Sequence, residues 1–325
     1  MEQINIATSL NSLYLRYTYV MLKSLYMNNE NLDIHVYILQ NDLTDSDKNH
    51  LNELTKQYNY SINYIFIDKS LFPTSLPTTT SWSLETYYRL TLLDLLPDNI
   101  DRLLYLDVDM IINKSIRELY FTPFDGKLFC ACEDMTVANG FDDTDKRREL
   151  FKNILSDNSK YFNAGMMLWN IKELRKHYSF KSYIDLAQKL NFKLTAPDQD
   201  LLNYMHAGQI KYLDEYQYDL FTKLIYNHGF HYDDIRASVT IAHFAGTKPW
   251  EGQYVHYDIE QLWWDYAKLT PFYFELLEEY LASSINNPLI YNTMTTMSEQ
   301  KKQLQDNLND SIALNQKLLR MLNPS

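Results

Sequence analysis

Glycine is scarce, with seven among 325 residues, and none is placed to cradle a phosphate. Gly126, Gly140, Gly165, Gly208, Gly229, Gly246 and Gly252 form neither a G-x-G turn nor a Walker A loop, which excludes both nucleotide cradles. Only Cys130 and Cys132 are present, too few for a disulfide framework or a four-cysteine zinc site. No H-E-x-x-H stands among the eight histidines. No run of about 18 apolar residues exists to span a bilayer. Met1–Leu15 carries Glu2 and no basic stretch, so a cytoplasmic setting is expected. Basic residues are outnumbered, and 30 − 42 gives a net charge of −12. That balance argues against broad nucleic-acid binding. A polyanionic substrate would need local cations or a metal.

What is present is an ordinary globular composition, 46% apolar and 22% charged, enough to bury a sizeable core. Short apolar runs alternate with amphipathic stretches. Strands are predicted at Ile4–Thr8, Ile34–Leu39, Ile62–Ile67 and Leu103–Asp109. Helices are predicted at Tyr14–Tyr26, Thr44–Tyr58 (with Thr44 as cap) and Leu84–Leu95. Further strands are expected at Leu128–Cys132, Ala164–Trp169 and Ser238–Phe244, and a helix over Asp198–Met205 behind Pro197. Asp142–Lys152 reads as a surface loop or short helix. Uncharged Ser70–Leu84 reads mostly as a long loop of the functional kind. The alternation implies an α/β fold, a mostly parallel sheet with flanking helices, whose ligands bind beyond the strands' carboxyl ends. Composition shifts at Pro271, suggesting a main domain over 1–270 and a helical extension over 271–325. The stripe of Leu304, Leu308, Ile312, Leu319 and Leu322 on Ser298–Leu322 is expected to dock on the body, with oligomerisation or membrane-surface contact as alternatives.

The strongest chemical signal is Leu103-Leu104-Tyr105-Leu106-Asp107-Val108-Asp109. On one strand, the two carboxylates would share a face about 6.6 Å apart. Such a pair is either solvated as the strand leaves the core or bridged by a divalent cation. A calcium loop is rejected, because Ile111 and Ile112 stand where an oxygen ligand and glycine are required. Ala242-His243-Phe244-Ala245-Gly246-Thr247-Lys248 supplies a strand-end imidazole, a permissive glycine and a phosphate-matching cation. Taken alone, His243 reads as a hydrogen-bonded core histidine. Phe162-Asn163-Ala164-Gly165 and Pro197-Asp198-Gln199-Asp200 each read alone as a turn or a helix start.

In this order, together with Thr86-Tyr87-Tyr88-Arg89-Leu90, these motifs resemble glycosyltransferase family 8 from about Ile4 to Trp250. The resemblance implies a GT-A (Rossmann-like) fold and a retaining hexosyltransferase using UDP-galactose or UDP-glucose. The acceptor would be a glycan, glycoconjugate or lipid-linked sugar, met at the inner membrane face. It implies Mn²⁺ (or Mg²⁺) on Asp107, Asp109 and His243. By position, Thr8, Ser9, Leu10, Asn11 and Tyr14 would hold the uridine, and Val108 the ribose. Arg89, Asn163, Ala164 and Asp198 would surround the sugar, with Gly246 and Lys248 at the diphosphate. Gln199 would face the anomeric carbon, and Asp134 is the nearest carboxylate for a covalent route. The segment Asn11-Ser12-Leu13-Tyr14 departs from the family by lacking acids, which motivates the alternative of a catalytically weak sugar-nucleotide binder. A phosphotransferase built on Asp107 is the third reading.

Overall fold

The apolar runs at 4–8, 34–39 and 103–106 become parallel strands that are mostly buried, as expected where both faces of a sheet are covered. A computed structural model describes residues 3–58, 60–79, 83–138, 160–254, 256–285 and 288–322, with side chains of the last helix described from 295 to 315. The predicted segment Asp142–Lys152 lies outside the described residues. The strands are β1 (Gln3–Ser9), β2 (Asp33–Gln40), β3 (Tyr60–Phe66), β4 (Leu103–Leu106), β5 (Met110–Ile112), β6 (Phe129–Glu133), β7 (Phe162–Trp169), β8 (Ile210–Leu213), β9 (Leu220–Phe221) and β10 (Ile241–His243). Seven form one sheet in the order β3-β2-β1-β4-β7-β6-β8, and β5-β10-β9 form a second. In the large sheet only β7 runs against its neighbours, β4 and β6. The other pairings are parallel.

The longer helices are α1 (Leu15–Met27), α2 (Asp45–Thr55), α3 (Phe180–Lys189), α4 (Pro197–Met205), α5 (Tyr273–Ile285) and α6 (Pro288–Leu322). On α1, Leu15, Tyr19, Leu22 and Tyr26 form the buried stripe their spacing predicts. Thr44 caps α2 in a capping box with Asp47, satisfying two backbone donors at once. Pro197 opens α4, where its missing N–H costs nothing.

Three predicted elements differ in the structure. Leu84–Thr91 is a 3₁₀ helix, and only Leu92–Leu95 is α-helical. Tyr87, Tyr88, Arg89, Leu90 and Thr91 are all buried, so packing on every side overrides the amphipathic α pattern. The Leu103–Asp109 strand stops at Leu106. Val108 and Asp109 turn, and the chain enters the second sheet at Met110. The predicted strand from Ser238 is confined to Ile241–His243, because Ser238 closes a short helix from Tyr232.

The main core includes Tyr87, Tyr105, Phe129, Phe162, Trp169 and Tyr183. His206 sits in it with no exposed surface, its ring 4.8 Å from Phe129 and 4.7 Å from Tyr178. Its Nε2 pairs with the Tyr183 hydroxyl at 3.0 Å. Burial holds this imidazole neutral and pushes its pKa down to about 3. The unfolded chain therefore takes up a proton below about pH 6.5 that the folded chain refuses, and stability falls as pH falls. Denaturant titrations should show the wild type losing about 2 kcal/mol more than His206→Gln between pH 6.5 and 5. Parallel losses in the two proteins would contradict a buried neutral imidazole.

The described chain divides into two compact units, Met1–Pro249 with Tyr257–Tyr273, and Trp250–His256 with Phe274–Ser325. Within the second, the Ser284 hydroxyl donates to the Gly252 carbonyl at 2.9 Å. A Cβ on Gly252 would lie 2.2 Å from the Tyr280 carbonyl oxygen. The α6 side chains Leu304, Leu308 and Ile312 are exposed. Among the described residues, no helix is long and apolar enough to cross a membrane.

Candidate active site

Sheet order places the cleft. From β1 the chain steps outward to β2 and β3, then returns to β4 on the other side of β1. That reversal opens a crevice beyond the carboxyl ends of β1 and β4. The register Ile6↔Leu104 and Ala7↔Tyr105 brings both ends to one level, and the Ser9 and Tyr105 hydroxyls bond at 2.7 Å. The crevice holds about 670 Å³, which suits a small organic ligand.

The break between β4 and β5 forms its floor. Asp107 N–H donates to the Gly165 carbonyl at 2.8 Å, and Phe244 N–H donates to the Asp109 carbonyl at 2.9 Å. One aspartate is thus pinned to each sheet, and Val108 bridges them. Antiparallel pairing of β10 with β5 sets His243 opposite Met110. The outcome is a cluster of Asp107, Asp109 and His243 whose ligand atoms all lie within 4.8 Å of one another. Two carboxylates and an imidazole, brought from two strand ends, suit a hard or borderline divalent ion such as Mg²⁺ or Mn²⁺.

Positive side chains hold this acidic floor. Lys248 contacts the Asp109 carboxylate and donates to the Phe244 carbonyl at 3.1 Å. His243 Nε2 lies 3.4 Å from Asp109 Oδ1, and Nδ1 lies 2.8 Å from Asp219 Oδ1. Burial disfavours charge on Asp109, but Lys248 and His243 overcome it and hold the carboxyl far below its usual range. Burial likewise opposes the imidazolium, yet Asp109 and Asp219 raise the His243 pKa to about 10. Asp107 is pushed up by burial, only partly offset by Arg89. Gly246 takes φ of +84°, the left-handed turn that lets the chain double back toward Lys248.

A second network lines the opposite wall. Gln199 Oε1 accepts from Ala164 N–H at 2.9 Å and Asn163 Nδ2 at 3.2 Å, while Nε2 donates to Asp134 Oδ2 at 2.8 Å. Asp134 Oδ1 accepts from the backbone N–H and hydroxyl of Thr136. The fully buried Asp200 accepts from Tyr161, Thr195 and Ala196, which fixes where α4 begins. Arg89 donates to the carbonyls of Thr86 and Ala164 and to Asp107 Oδ1 at 2.8 Å. Its Nε also approaches Asp198 Oδ2 at 2.9 Å. Burial raises the Asp198 pKa to about 6, with Arg89 opposing.

Of the residues singled out in the sequence, Ser9, Leu10, Asn11, Tyr14, Arg89, Asp107, Val108, Asp109, Asp134, Asn163, Ala164, Asp198, Gln199, His243, Gly246 and Lys248 all line this one cleft. Thr8 does not. It lies deeper in β1, its hydroxyl buried without a partner. Phe221, Thr136 and Asp219 were not anticipated. Phe221 packs edge-on against His243, with ring centroids 5.1 Å apart. Strands as short as β9 give no periodic signal.

Gly165 was noticed only as part of a motif. A Cβ there would lie 2.7 Å from His243 Cε1 and 2.8 Å from Asn163 Oδ1. Gly165→Ala should therefore push the imidazole off its position. A misplacement of this kind is expected to lower turnover about 10²-fold, with about 1–3 kcal/mol lost in stability. Unfolding curves and turnover on the same preparation check both. Unchanged turnover would mean that the ring has room to spare.

The profile described as Glycosyl transferase family 8 matches residues 5–253. A Haemophilus influenzae protein described as a glycosyltransferase is 28% identical over 214 residues, 66% of this chain and 62% of that protein. The lipopolysaccharide 1,3-galactosyltransferase of Salmonella typhimurium is 27% identical over 259 residues, 77% of this chain and 73% of that one. Crystal structures of the galactosyltransferase LgtC superpose with TM-scores of 0.70 and 0.68 at 22% identity, over 82% of this chain and 96% of that one. They show a shared GT-A fold. With the family profile spanning well over half of its length, the chain belongs to glycosyl transferase family 8.

Proposed function

We propose that the chain is a retaining hexosyltransferase that moves galactose or glucose from a UDP-sugar to a glycan, glycoconjugate or lipid-linked acceptor in the cytoplasm. The observation that carries this reading is the convergence of Asp107, Asp109 and His243 within 4.8 Å at the floor of the cleft. The Salmonella relative is a lipopolysaccharide galactosyltransferase, and one LgtC crystal contains donor and acceptor sugar analogues. Both facts support the same class.

The residues divide the work. Asp107, Asp109 and His243 would hold Mn²⁺ or Mg²⁺, which supplies Lewis-acid neutralisation of the diphosphate as the glycosidic bond breaks. Lys248 moves from Asp109 to the departing phosphate, adding a second positive charge where negative charge develops. Asn11 and Tyr14 hold the uracil, Ser9 and Leu10 shape that end of the cleft, and the Val108 backbone meets the ribose. Asn163, Asp198 and Arg89 orient the sugar hydroxyls. Gln199, locked by Asp134 and Ala164, stands across from the leaving group and stabilises an oxocarbenium-like sugar. The acceptor attacks the face that the phosphate leaves, and its proton passes to that phosphate, so configuration is retained.

The test is a panel of UDP-sugars with Mn²⁺, read as thermal stabilisation and as UDP release. Selective stabilisation and release with UDP-galactose or UDP-glucose are expected, because a ligand bound only by the folded state raises its melting temperature. Stabilisation without turnover on any acceptor would leave a binding protein. An aspartyl-phosphate trapped on Asp107 would replace the reading with phosphotransfer.

A further inference from the structure

The three proposed ion ligands leave one carboxylate unexplained. Asp219 has no exposed surface, and it stands just before β9, whose parallel pairing sets Phe221 beside His243. Asp219 Oδ1 lies 2.8 Å from His243 Nδ1. Its other oxygen, Oδ2, is buried without a hydrogen-bond partner. A buried carboxylate with an orphaned oxygen is costly, so something must repay its retention. No lysine or arginine is recorded in an ion pair with it among the described residues. Its one recorded ion pair is with His243.

The two ring nitrogens of His243 then have separate tasks. Nε2 faces Asp109, on the side of the proposed ion. Nδ1 faces away, into the protein. An imidazole binds a cation only through an unprotonated nitrogen. If the ring proton sits on Nε2, the ion is shut out. We propose that Asp219 is the positioning residue of this centre: by accepting Nδ1–H it fixes the tautomer that leaves the Nε2 lone pair facing the ion. Phe221 packs against the ring and Gly165 leaves room only for a hydrogen beside Cε1, while Asp219 sets which nitrogen carries the proton. The inference deepens the ion-binding reading given above and rests on it.

Asp219→Asn tests it with the full chain. An amide can present either its oxygen or its N–H₂ to Nδ1, so it no longer dictates the tautomer. Mn²⁺ binding, measured by calorimetry without any sugar nucleotide, should weaken about 10–100-fold, the usual effect of losing a partner that orients a ligand. Unfolding by urea on the same sample reports whether the fold persists. Equal affinity for wild type and a folded Asp219→Asn overturns the positioning role alone. His243→Ala serves as the reference. A wild type that binds Mn²⁺ no better than His243→Ala overturns the ion-binding reading itself. Should Asp219→Asn fail to fold, the wild type decides: ¹⁵N spectra of its histidine rings with Mg²⁺ present should show His243 protonated on Nδ1 only. A proton on Nε2 in the Mg²⁺-loaded protein would refute the proposal.

Discussion

Asp109→Asn should lower the rate of sugar transfer by at least about 10³-fold, roughly 4 kcal/mol of lost transition-state stabilisation. Three functions meet on this one carboxylate. It is one of the three groups positioned to take a divalent ion. It pairs with the Lys248 ammonium. It also supplies the counter-charge to the His243 imidazolium. Asparagine keeps the size and one acceptor oxygen but removes the charge that makes the site a cation trap. The variant should lose some stability too, because the part-buried Lys248 loses its carboxylate counter-charge. A second readout separates the two effects. Wild type should gain melting temperature on adding Mn²⁺, and Asp109→Asn should gain none. Wild-type turnover unaffected by EDTA would remove the ion from the chemistry altogether.

Much of this site was legible before any coordinates, because its residues sit in short motifs at the ends of apolar runs. Strand ends are where a parallel sheet opens its cleft, so position along the pattern carried functional meaning. The capping box at Thr44 and Asp47 was equally local and equally readable. Failures came where distant residues decide. Leu103-Leu104-Tyr105-Leu106 and Met110-Ile111-Ile112 are both apolar and buried, and nothing between them announces that they belong to different sheets. Only the partners Gly165 and Phe244, far along the chain, reveal the break at the two aspartates. Asp219 escaped for a similar reason: the two-residue strand behind it exists only because β10 is there to pair with it. The helix pattern of Leu84–Leu95 misled because a residue buried on every side contributes nothing to amphipathic periodicity.

Arg89 shows how far a motif residue can exceed its local reading, and its removal should cost about 3–5 kcal/mol of folding stability. The sequence suggested a side chain reaching for sugar hydroxyls. In the folded chain, three of its five N–H groups are already committed, to the Thr86 and Ala164 carbonyls and to Asp107. The guanidinium also lies over the Tyr105 ring, 4.3 Å from its centroid. It therefore ties the 3₁₀ segment, β4 and the start of β7 together, and sits between the Asp107 and Asp198 carboxylates. Arg89→Met keeps most of the volume and leaves buried Asp198 and part-buried Asp107 without their shared cation. Those acids supply the diagnostic. In the wild type, burial already lifts Asp198 to about 6 against the pull of Arg89. Without the arginine, its folded-state value rises further above the unfolded one, so the folded variant binds protons that the unfolded chain does not. Its deficit relative to wild type must then shrink as pH falls from 8 toward 5. Adding Asp198→Asn removes one of the stranded charges. The double variant should be more stable at pH 7.5 than the sum of the two single changes, by 1 kcal/mol or more. Urea titrations of the four proteins at pH 5 and 7.5 measure every quantity required. Strict additivity, or a deficit that does not change with pH, would mean that Arg89 serves the substrate and not the fold.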